Sequence, residues 1–435
     1  MHIRIVTLLA VLTLAAPALA EHPSTVAARE TLRLYLDGRY ADFVAAGTDE
    51  LQAKFPAAQA EMVAKQLEAQ FGQYQYEQSV EHFVVEGMDL NRFALRYDKA
   101  VLRLQLTLDS QGKLAGFFIT GVEAADPAPL PPYADPRKYT ETPITVQTGL
   151  FELPGTLTLP VDAGKCPAVV LVHGSGPHDQ DETVLGNKPF RDLAVGLATH
   201  GVAALRYEKR THKYGSRMKA EEITLEAETI DDALSAAALL RGRPEINPQR
   251  VFVAGHSMGG TAGPFIAQRD DKLAGLIILA GTPRSLLDLI VEQMEYIANL
   301  DREPTAEDKS HIDEVKQSVA AIRAGTATDA DVPLPGAPLK YWQQMENLPT
   351  LATARQLELP ILIVQFGRDY QVTRKCFDAW RAGLKDRGNV TFKVYDDLNH
   401  LMIKGAGPSS PQEYGTAGNV DETLVRDLAA WMKKL

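Results

Sequence analysis

The sequence predicts an α/β architecture: a doubly wound, mostly parallel sheet with a helical cap insertion, preceded by a small α+β unit. Three observations carry this expectation. From about residue 141 onward, short apolar or β-rich runs alternate with helical stretches, the order of a parallel sheet crossed by helices. One of those runs, Val251–Ala254, leads straight into Gly255-His256-Ser257-Met258-Gly259, a G-x-S-x-G turn from strand to helix. Ahead of residue 126 the order is different, with helical spacing first and strands afterwards.

The chain begins with a segment that stands apart. Arg4 and the amino terminus form a positive start, Ile5 to Ala15 is apolar, and Ala18-Leu19-Ala20 is a small-x-small site before Glu21. Residues 1–20 therefore read as a signal peptide cleaved after Ala20, which places the mature protein outside the cytoplasm, secreted or periplasmic. No cysteine follows the cleavage site and no later run is long enough to span a bilayer, so no membrane anchor is expected. Net charge is −11 and no basic run exceeds two residues, which argues against nucleic acid as a partner. The two cysteines, Cys166 and Cys376, fall beside different strands and are expected as free, buried thiols.

Residues 22–125 read as three helices followed by four strands. Val26–Leu36 and Gln59–Phe71 have helical spacing, stopped by Gly38 and Gly72. Val80–Val85, Phe93–Tyr97, Val101–Leu108 and Leu114–Val122 look like strands, with a hairpin turn at Asp109–Gly112. The order resembles the small cone-shaped domains of the nuclear-transport-factor-like group. His82 and Asp89 form no catalytic pattern, so this domain is expected to be accessory. The proline-rich stretch 126–140 reads as a stiff linker.

Residues 141–435 make the larger domain. Ile144–Gln147 and Thr156–Leu159 open it as a hairpin. The strands at Pro167–Val172, Val202–Leu205, Val251–Ala254, Leu276–Leu279, Ile361–Val364 and Phe392–Val394 follow, with helices such as Phe190–Thr199 and Ala227–Leu240 between them. Ligands of such sheets bind beyond the carboxyl ends of the strands, so the residues after each strand decide the chemistry. After Val251–Ala254 stands Ser257, lifted out of the sheet by a turn that only glycines two residues before and after allow. The Met258 amide lies at the following helix start, aimed at the same point. After Pro167–Val172 comes His173-Gly174-Ser175-Gly176-Pro177, whose Ser175 N–H is the expected second donor of a two-amide oxyanion hole. After Ile361–Val364 comes Asp369, and after the last strand His400. A serine hydroxyl becomes nucleophilic when a base takes its proton; His400 is placed to be that base, and Asp369 to orient it.

The order Ser257, Asp369, His400 and the two glycine loops resemble the α/β-hydrolase family from about residue 140 to the end. The stretch from His173 to Glu182, with Asn187-Lys188-Pro189-Phe190-Arg191-Asp192, is similar to exported bacterial esterases near the serine-aminopeptidase and prolyl-oligopeptidase branch. The resemblance implies hydrolysis of a small-molecule ester through an acyl-serine, with no metal or organic cofactor. Asp396 and Asp397 compete for the acid role; the family pattern and the Gly-x-Asp setting favour Asp369.

About eighty residues separate the strand ending near Ala280 from the one beginning at Pro360, too many for a plain crossover. A cap at about 284–352 is expected, with helices at Ser285–Leu300 and Glu307–Arg323 and a break at Pro333–Pro338. Trp342, Met294, Tyr296 and Met345 are the candidate pocket residues. Arg206–Arg210 is expected at the mouth as a solvated loop. Two other functions stay open at this point: an aminopeptidase or acyl-peptide hydrolase, holding an amino terminus with Glu208 and Asp181, and a binding protein on an inactive hydrolase scaffold.

Overall fold

The computed structural model describes residues 21–435 except 86, 126–127, 162–163, 216–217, 220–221, 301 and 333–336. The expected signal peptide, its cleavage after Ala20 and most of the expected break at Pro333–Pro338 lie outside the described residues. The chain divides into two compact units that part between Val122 and Glu123.

The first unit opens with four helices, α1 (Pro23–Leu36), α2 (Tyr40–Ala45), α3 (Asp49–Lys54) and α4 (Ala57–Phe71). The sequence predicted three and located two of them, those that became α1 and α4. The reason is length: α2 and α3 are six residues each, fewer than two turns, so neither displays a hydrophobic period. Strands β1 (Tyr74–Val85), β2 (Met88–Tyr97), β3 (Ala100–Leu108) and β4 (Leu114–Ala124) follow as a meander in the order β1-β2-β3-β4. Phe93, Leu95, Leu102, Leu104 and Leu106 on β2 and β3 are fully buried, as are Ala28, Leu32 and Tyr35 on α1. The Asp109–Gly112 turn forms as expected, with Asp109 Oδ1 accepting from the amides of Gln111 and Lys113. His82 donates to Asp89 over 2.7 Å and stacks on His22 at 3.9 Å. The ligating atoms of His22, His82 and Asp89 all lie within 4.8 Å of one another.

The second unit is built on an eight-stranded sheet. A hairpin of β5 (Tyr139–Thr148) and β6 (Phe151–Pro160) opens it, followed by β7 (Cys166–Val172), α5 (Pro189–Thr199), β8 (Ala203–Tyr207), α6 (Arg210–Tyr214) and α7 (Asp231–Arg241). Then come β9 (Ile246–His256), α8 (Met258–Arg269), β10 (Gly275–Leu279), four cap helices, β11 (Ile361–Phe366), α13 (Arg374–Leu384), β12 (Val390–Tyr395) and α14 (Glu422–Lys434). The cap helices are α9 (Leu286–Ala298), α10 (Ala306–Ala324), α11 (Leu339–Glu346) and α12 (Thr350–Gln356).

Strand order is β12-β11-β10-β9-β7-β8-β6-β5. The six strands from β12 to β8 run parallel, and the β5–β6 hairpin joins antiparallel through β6 to β8. Central strands buried on both faces need apolar residues at every position, and β7 and the Val251–Ala254 stretch of β9 supply them. Val169, Leu171, Phe252 and Ala254 pack on the layer of α5 and α14; Ala168, Val170, Val251 and Val253 pack on the layer of α7 and α8. Cys166 and Cys376 are free and buried. Among the described residues no helix is long and apolar enough to cross a membrane.

Within the proline-rich stretch, described residues pack against other parts of the second unit, to which they belong. Tyr133 donates to the Val420 carbonyl at 2.8 Å and lies against Gly196, while Arg191 donates to the carbonyls of Ala128 and Pro129. Arg206–Arg210 is not a solvated loop. Arg206 is buried against Asp181 and Glu141, Lys209 is 1% exposed, and Arg210 pairs with Asp232. Removing a large packed side chain and its hydrogen bond costs a few kcal/mol. Tyr133→Ala should therefore lower unfolding stability by about 2–4 kcal/mol, and Tyr133→Phe by about 1 kcal/mol, as read by urea titration. Equal stability of Tyr133→Ala and wild type would show that this packing contributes nothing.

Candidate active site

Ser257, Asp369 and His400 each follow the carboxyl end of a parallel strand. Ser257 follows β9 directly and caps α8, with φ 52° and ψ −116°. A non-glycine residue is rarely found there, and the conformation costs about 1–3 kcal/mol. Its neighbours make it possible. A Cβ on Gly255 would lie 2.1 Å from the Gly259 carbonyl oxygen, and one on Gly259 would lie 2.2 Å from that of Val172. The turn is held from the other side by the Ser257 amide, which donates to the Leu279 carbonyl of β10 at 2.8 Å.

Asp369 lies three residues past β11 and His400 five past β12. Asp369 Oδ2 accepts from His400 Nδ1 at 2.7 Å, and both side chains are buried. Asp369 Oδ1 is engaged by the amides of Gln371 and Val372 at 2.8 and 2.9 Å. The carboxylate is thus fixed on both oxygens, which keeps the Nδ1–H tautomer of His400 and leaves Nε2 for a substrate or nucleophile. The competing acids point elsewhere. The Asp396 side chain is 91% exposed, and Asp397 pairs with Lys404 on the surface.

The loop after β7 passes close by. A Cβ on Gly174 would stand 3.2 Å from the Ser257 Cβ. Hydrogen bonds draw four of this region's carbonyls aside: Gly174 O accepts from Lys209 Nζ (2.9 Å), Ser175 O from His178 Nε2 (2.7 Å), His178 O from the Lys209 amide (3.0 Å) and Asp179 O from His173 Nε2 (3.0 Å). The Gly174 amide is spent on Glu182 Oε1 at 2.6 Å. The Ser175 amide, by contrast, has no partner among the described residues, and Met258 opens α8, where amides lack an intrahelical carbonyl. Ser175 and Met258 both border the cavity above Ser257.

That cavity measures about 140 Å³. Its apolar walls include Leu286, Leu289 and Ile290 from α9, Trp342 and Met345 from α11, and Val372, and Arg284, Gln293 and Gln371 add polar groups. Trp342 and Met345 are therefore where the sequence placed them. Met294 and Tyr296 are not: both lie on α9 but off the face it turns to the cavity. Met294 packs into the core, and Tyr296 stacks on Tyr370 and donates to the Ser409 carbonyl. Helical spacing located an apolar helix but not which of its stripes faces inward.

Sequence reasoning missed Glu182 and the role of His256. Glu182, itself at φ 52° and 2% exposed, accepts from Gly174 through Oε1 and from His256 Nδ1 through Oε2 at 2.8 Å. His256 Nε2 in turn donates to the His400 carbonyl at 2.9 Å. Burial opposes the Glu182 charge, yet the His256 imidazolium, with His178 and His173, holds its pKa at about 2. For His256, burial pulls the pKa down and Glu182 outweighs it, so the net shift is upward. His173, by burial, is held neutral with a pKa of about 3. A histidine at the variable position of the G-x-S-x-G motif was the one available signal, and its partner lies 74 residues away.

Comparison with known proteins gives the following. Residues 169–414 match the family described as "Alpha/beta hydrolase family". The chain is 35% identical over 387 residues to Esterase EstD of Thermotoga maritima, covering 89% of this chain and 90% of that one. Among solved structures, Est1E from Butyrivibrio proteoclasticus aligns at 17% identity and a TM-score of 0.44, covering 67% of this chain and 99% of that chain. A hyperthermophilic esterase from Pyrobaculum calidifontis aligns at 17% identity and a TM-score of 0.43, covering 71% and 87%.

The Glu182–His256 pair gives a pH prediction. Glu182 has a folded pKa below its ordinary 4.5, so its contribution is present above that value and lost as pH falls toward 2. His256 has a raised folded pKa, so its contribution is complete below 6.5 and lost as pH rises through the folded value. Breaking one side of such a buried pair costs about 3–5 kcal/mol. Glu182→Gln should be less stable than wild type by about that much near pH 6, with the difference shrinking between pH 4.5 and 2. A difference that does not vary with pH in denaturation titrations would show the pair to be uncharged.

Proposed function

The chain belongs to the alpha/beta hydrolase family, and from that premise we propose that it is an exported serine hydrolase that cleaves small carboxylic esters through an acyl-serine intermediate. The observation that carries the reading is the Asp369–His400 pair at the same sheet edge as the strained Ser257 turn, beside a small cavity of mixed apolar and polar lining. Ester substrates are supported by the similarity to an esterase over nine-tenths of both chains.

In this reading His400 Nε2 takes the Ser257 hydroxyl proton as Oγ attacks the ester carbonyl. The carbonyl π pair moves onto oxygen, where the Ser175 and Met258 amides receive it. Collapse expels the alcohol, which takes the proton back from His400 and leaves the acyl group on Ser257. Water repeats the sequence, His400 acting again first as base and then as acid, and releases the carboxylic acid. Asp369 remains ionised and stabilises the imidazolium. Protein groups and water account for every proton and electron pair, so no metal or cofactor is required.

The cavity sets the acyl size. About 140 Å³, walled by leucine, isoleucine, tryptophan and methionine with Arg284, Gln293 and Gln371 among them, is close to the space that takes one benzene ring in an engineered protein cavity. Short acyl chains fit; long ones do not without moving the cap. The carboxylates considered for an aminopeptidase have partners in the structure. Asp181 is engaged by Lys188 and Arg206, each at 3.0 Å, and Glu208 faces His212. Export rests on the signal-peptide features of residues 1–20.

A panel of p-nitrophenyl esters tests the reading. Acetate and butyrate should be turned over well in preference to octanoate, and aminoacyl anilides should not be cleaved. Ser257→Ala should lose turnover by about 10⁴-fold or more, and Asp369→Asn by about 10³–10⁴-fold. Trp342→Ala should widen the cavity and shift the optimum to longer chains. Unimpaired ester turnover by Ser257→Ala would overturn the assignment, and cleavage of anilides but not esters would restore the peptidase.

A further inference from the structure

A fully buried lysine stands behind the loop that follows β7. Lys209 is 1% exposed and its Nζ donates to the Gly174 carbonyl at 2.9 Å. Its own amide donates to the His178 carbonyl at 3.0 Å, so one residue grips both ends of the 174–178 segment. Burying a lysine is costly unless it is paired, and Lys209 faces Glu228 Oε2 at 3.4 Å. Glu228 is itself 6% exposed and lies in a π-helical turn, Glu226–Ile230, immediately before α7. Such turns recur at functional sites.

The geometry of the peptide unit gives this contact a direct consequence. The Gly174 carbonyl and the Ser175 amide belong to one planar trans peptide, in which C=O and N–H point in opposite directions. A cation that fixes Gly174 O therefore aims Ser175 N–H away from itself. It also polarises that N–H, because hydrogen bonds in a chain strengthen one another. Ser175 N–H is the amide left without a partner, at the border of the cavity that Ser257 shares.

The chain of contacts continues into the cap. Tyr341 of α11 donates its hydroxyl to Glu228 Oε1 at 3.2 Å and touches Met258 Sδ at 2.9 Å. Tyr341 is 6% exposed, and burial together with the Glu228 charge raises its pKa well above the ordinary value, so it stays a donor. Its hydroxyl thus meets the counterion of Lys209 on one side and the residue carrying the other candidate oxyanion amide on the other.

We propose that Lys209 is a positioning residue that orients the Gly174–Ser175 peptide for transition-state stabilisation, and that Tyr341 and Glu228 couple the cap to it. The inference rests on the serine-hydrolase reading above. It assigns the three residues no contact with substrate: they act through the backbone of the loop. It also explains why Lys209, Glu228 and Tyr341, drawn from three separate segments, are buried in one chain of contacts that ends on the Gly174 carbonyl.

The test uses the full-length protein. Lys209→Met leaves Glu228 charged and unpaired, which threatens folding, so Lys209→Met/Glu228→Gln is made beside it, together with Tyr341→Phe. A small displacement of a catalytic donor lowers rate by up to about 100-fold. The double variant should fold, as judged by circular dichroism, and lose about 10- to 100-fold in kcat with KM within about threefold of wild type. Its affinity for a trifluoromethyl ketone, which forms a tetrahedral adduct, should fall by the same factor as kcat. Tyr341→Phe should show the same split at about three- to tenfold, and this variant carries the test should the double variant not fold. Wild-type kcat and ketone affinity in folded variants would overturn the proposal, as would a loss confined to KM. Fluorophosphonate labelling of the wild type separates the two levels. Failure to label Ser257 contradicts the serine-hydrolase reading itself, whereas labelled wild type with unaffected variants contradicts only the role of Lys209.

Discussion

The backbone of Ser257 is the constraint on which the candidate site depends. Its positive φ places the side chain above the sheet edge, where no relaxed strand or helix would put it. The surrounding chain over-determines that conformation. β9 lies between β7 and β10 in a parallel core, the Ser257 amide is tied to Leu279, and two glycines bring neighbouring carbonyls within distances that no Cβ would tolerate. Strain of this kind persists only where packing holds it. Here the packing is that of the sheet centre, the part of the fold least able to yield.

A second layer of polar groups translates that rigidity into orientation. Glu182, His256 and Lys209 each contact the site's backbone and not its cavity: the Gly174 amide, the His400 carbonyl and the Gly174 carbonyl respectively. Each is buried and each is satisfied by an opposite charge. The side chains in the reading as nucleophile and base are thus placed by secondary structure, while the loop between them is placed by buried charges. A cap packed through Tyr341 onto Glu228 brings the cavity wall into the same network.

Much of this was legible from sequence because it depends on short-range patterns. Apolar or β-rich runs located each strand of the larger sheet, most directly β7, β8, β10 and β11, which are buried along their whole length. The glycine spacing around Ser257 and the strand-end positions of Asp369 and His400 singled out the candidate site residues before any distance was known. What could not be read has a common cause. Helices α2 and α3 are too short to show a period. Met294 and Tyr296 share a helix with cavity residues but not their stripe. Lys209 and Glu228 look like ordinary surface charges in a run of polar residues, and only the three-dimensional fold shows that both are enclosed. The proline-rich stretch carries the composition of a linker, and nothing local announces that Tyr133 and the carbonyls of Ala128 and Pro129 meet partners on the sheet's own helices.

The central claim is that an acyl group passes through Ser257. Rapid quenching of the protein during turnover of p-nitrophenyl butyrate, followed by mass spectrometry of the intact chain and its peptides, observes that step directly. The account predicts a transient mass increase of one butyryl group, located on the peptide that contains Ser257. A butyryl adduct on another residue, or hydrolysis that proceeds with the Ser257→Ala variant in place of wild type, would contradict it.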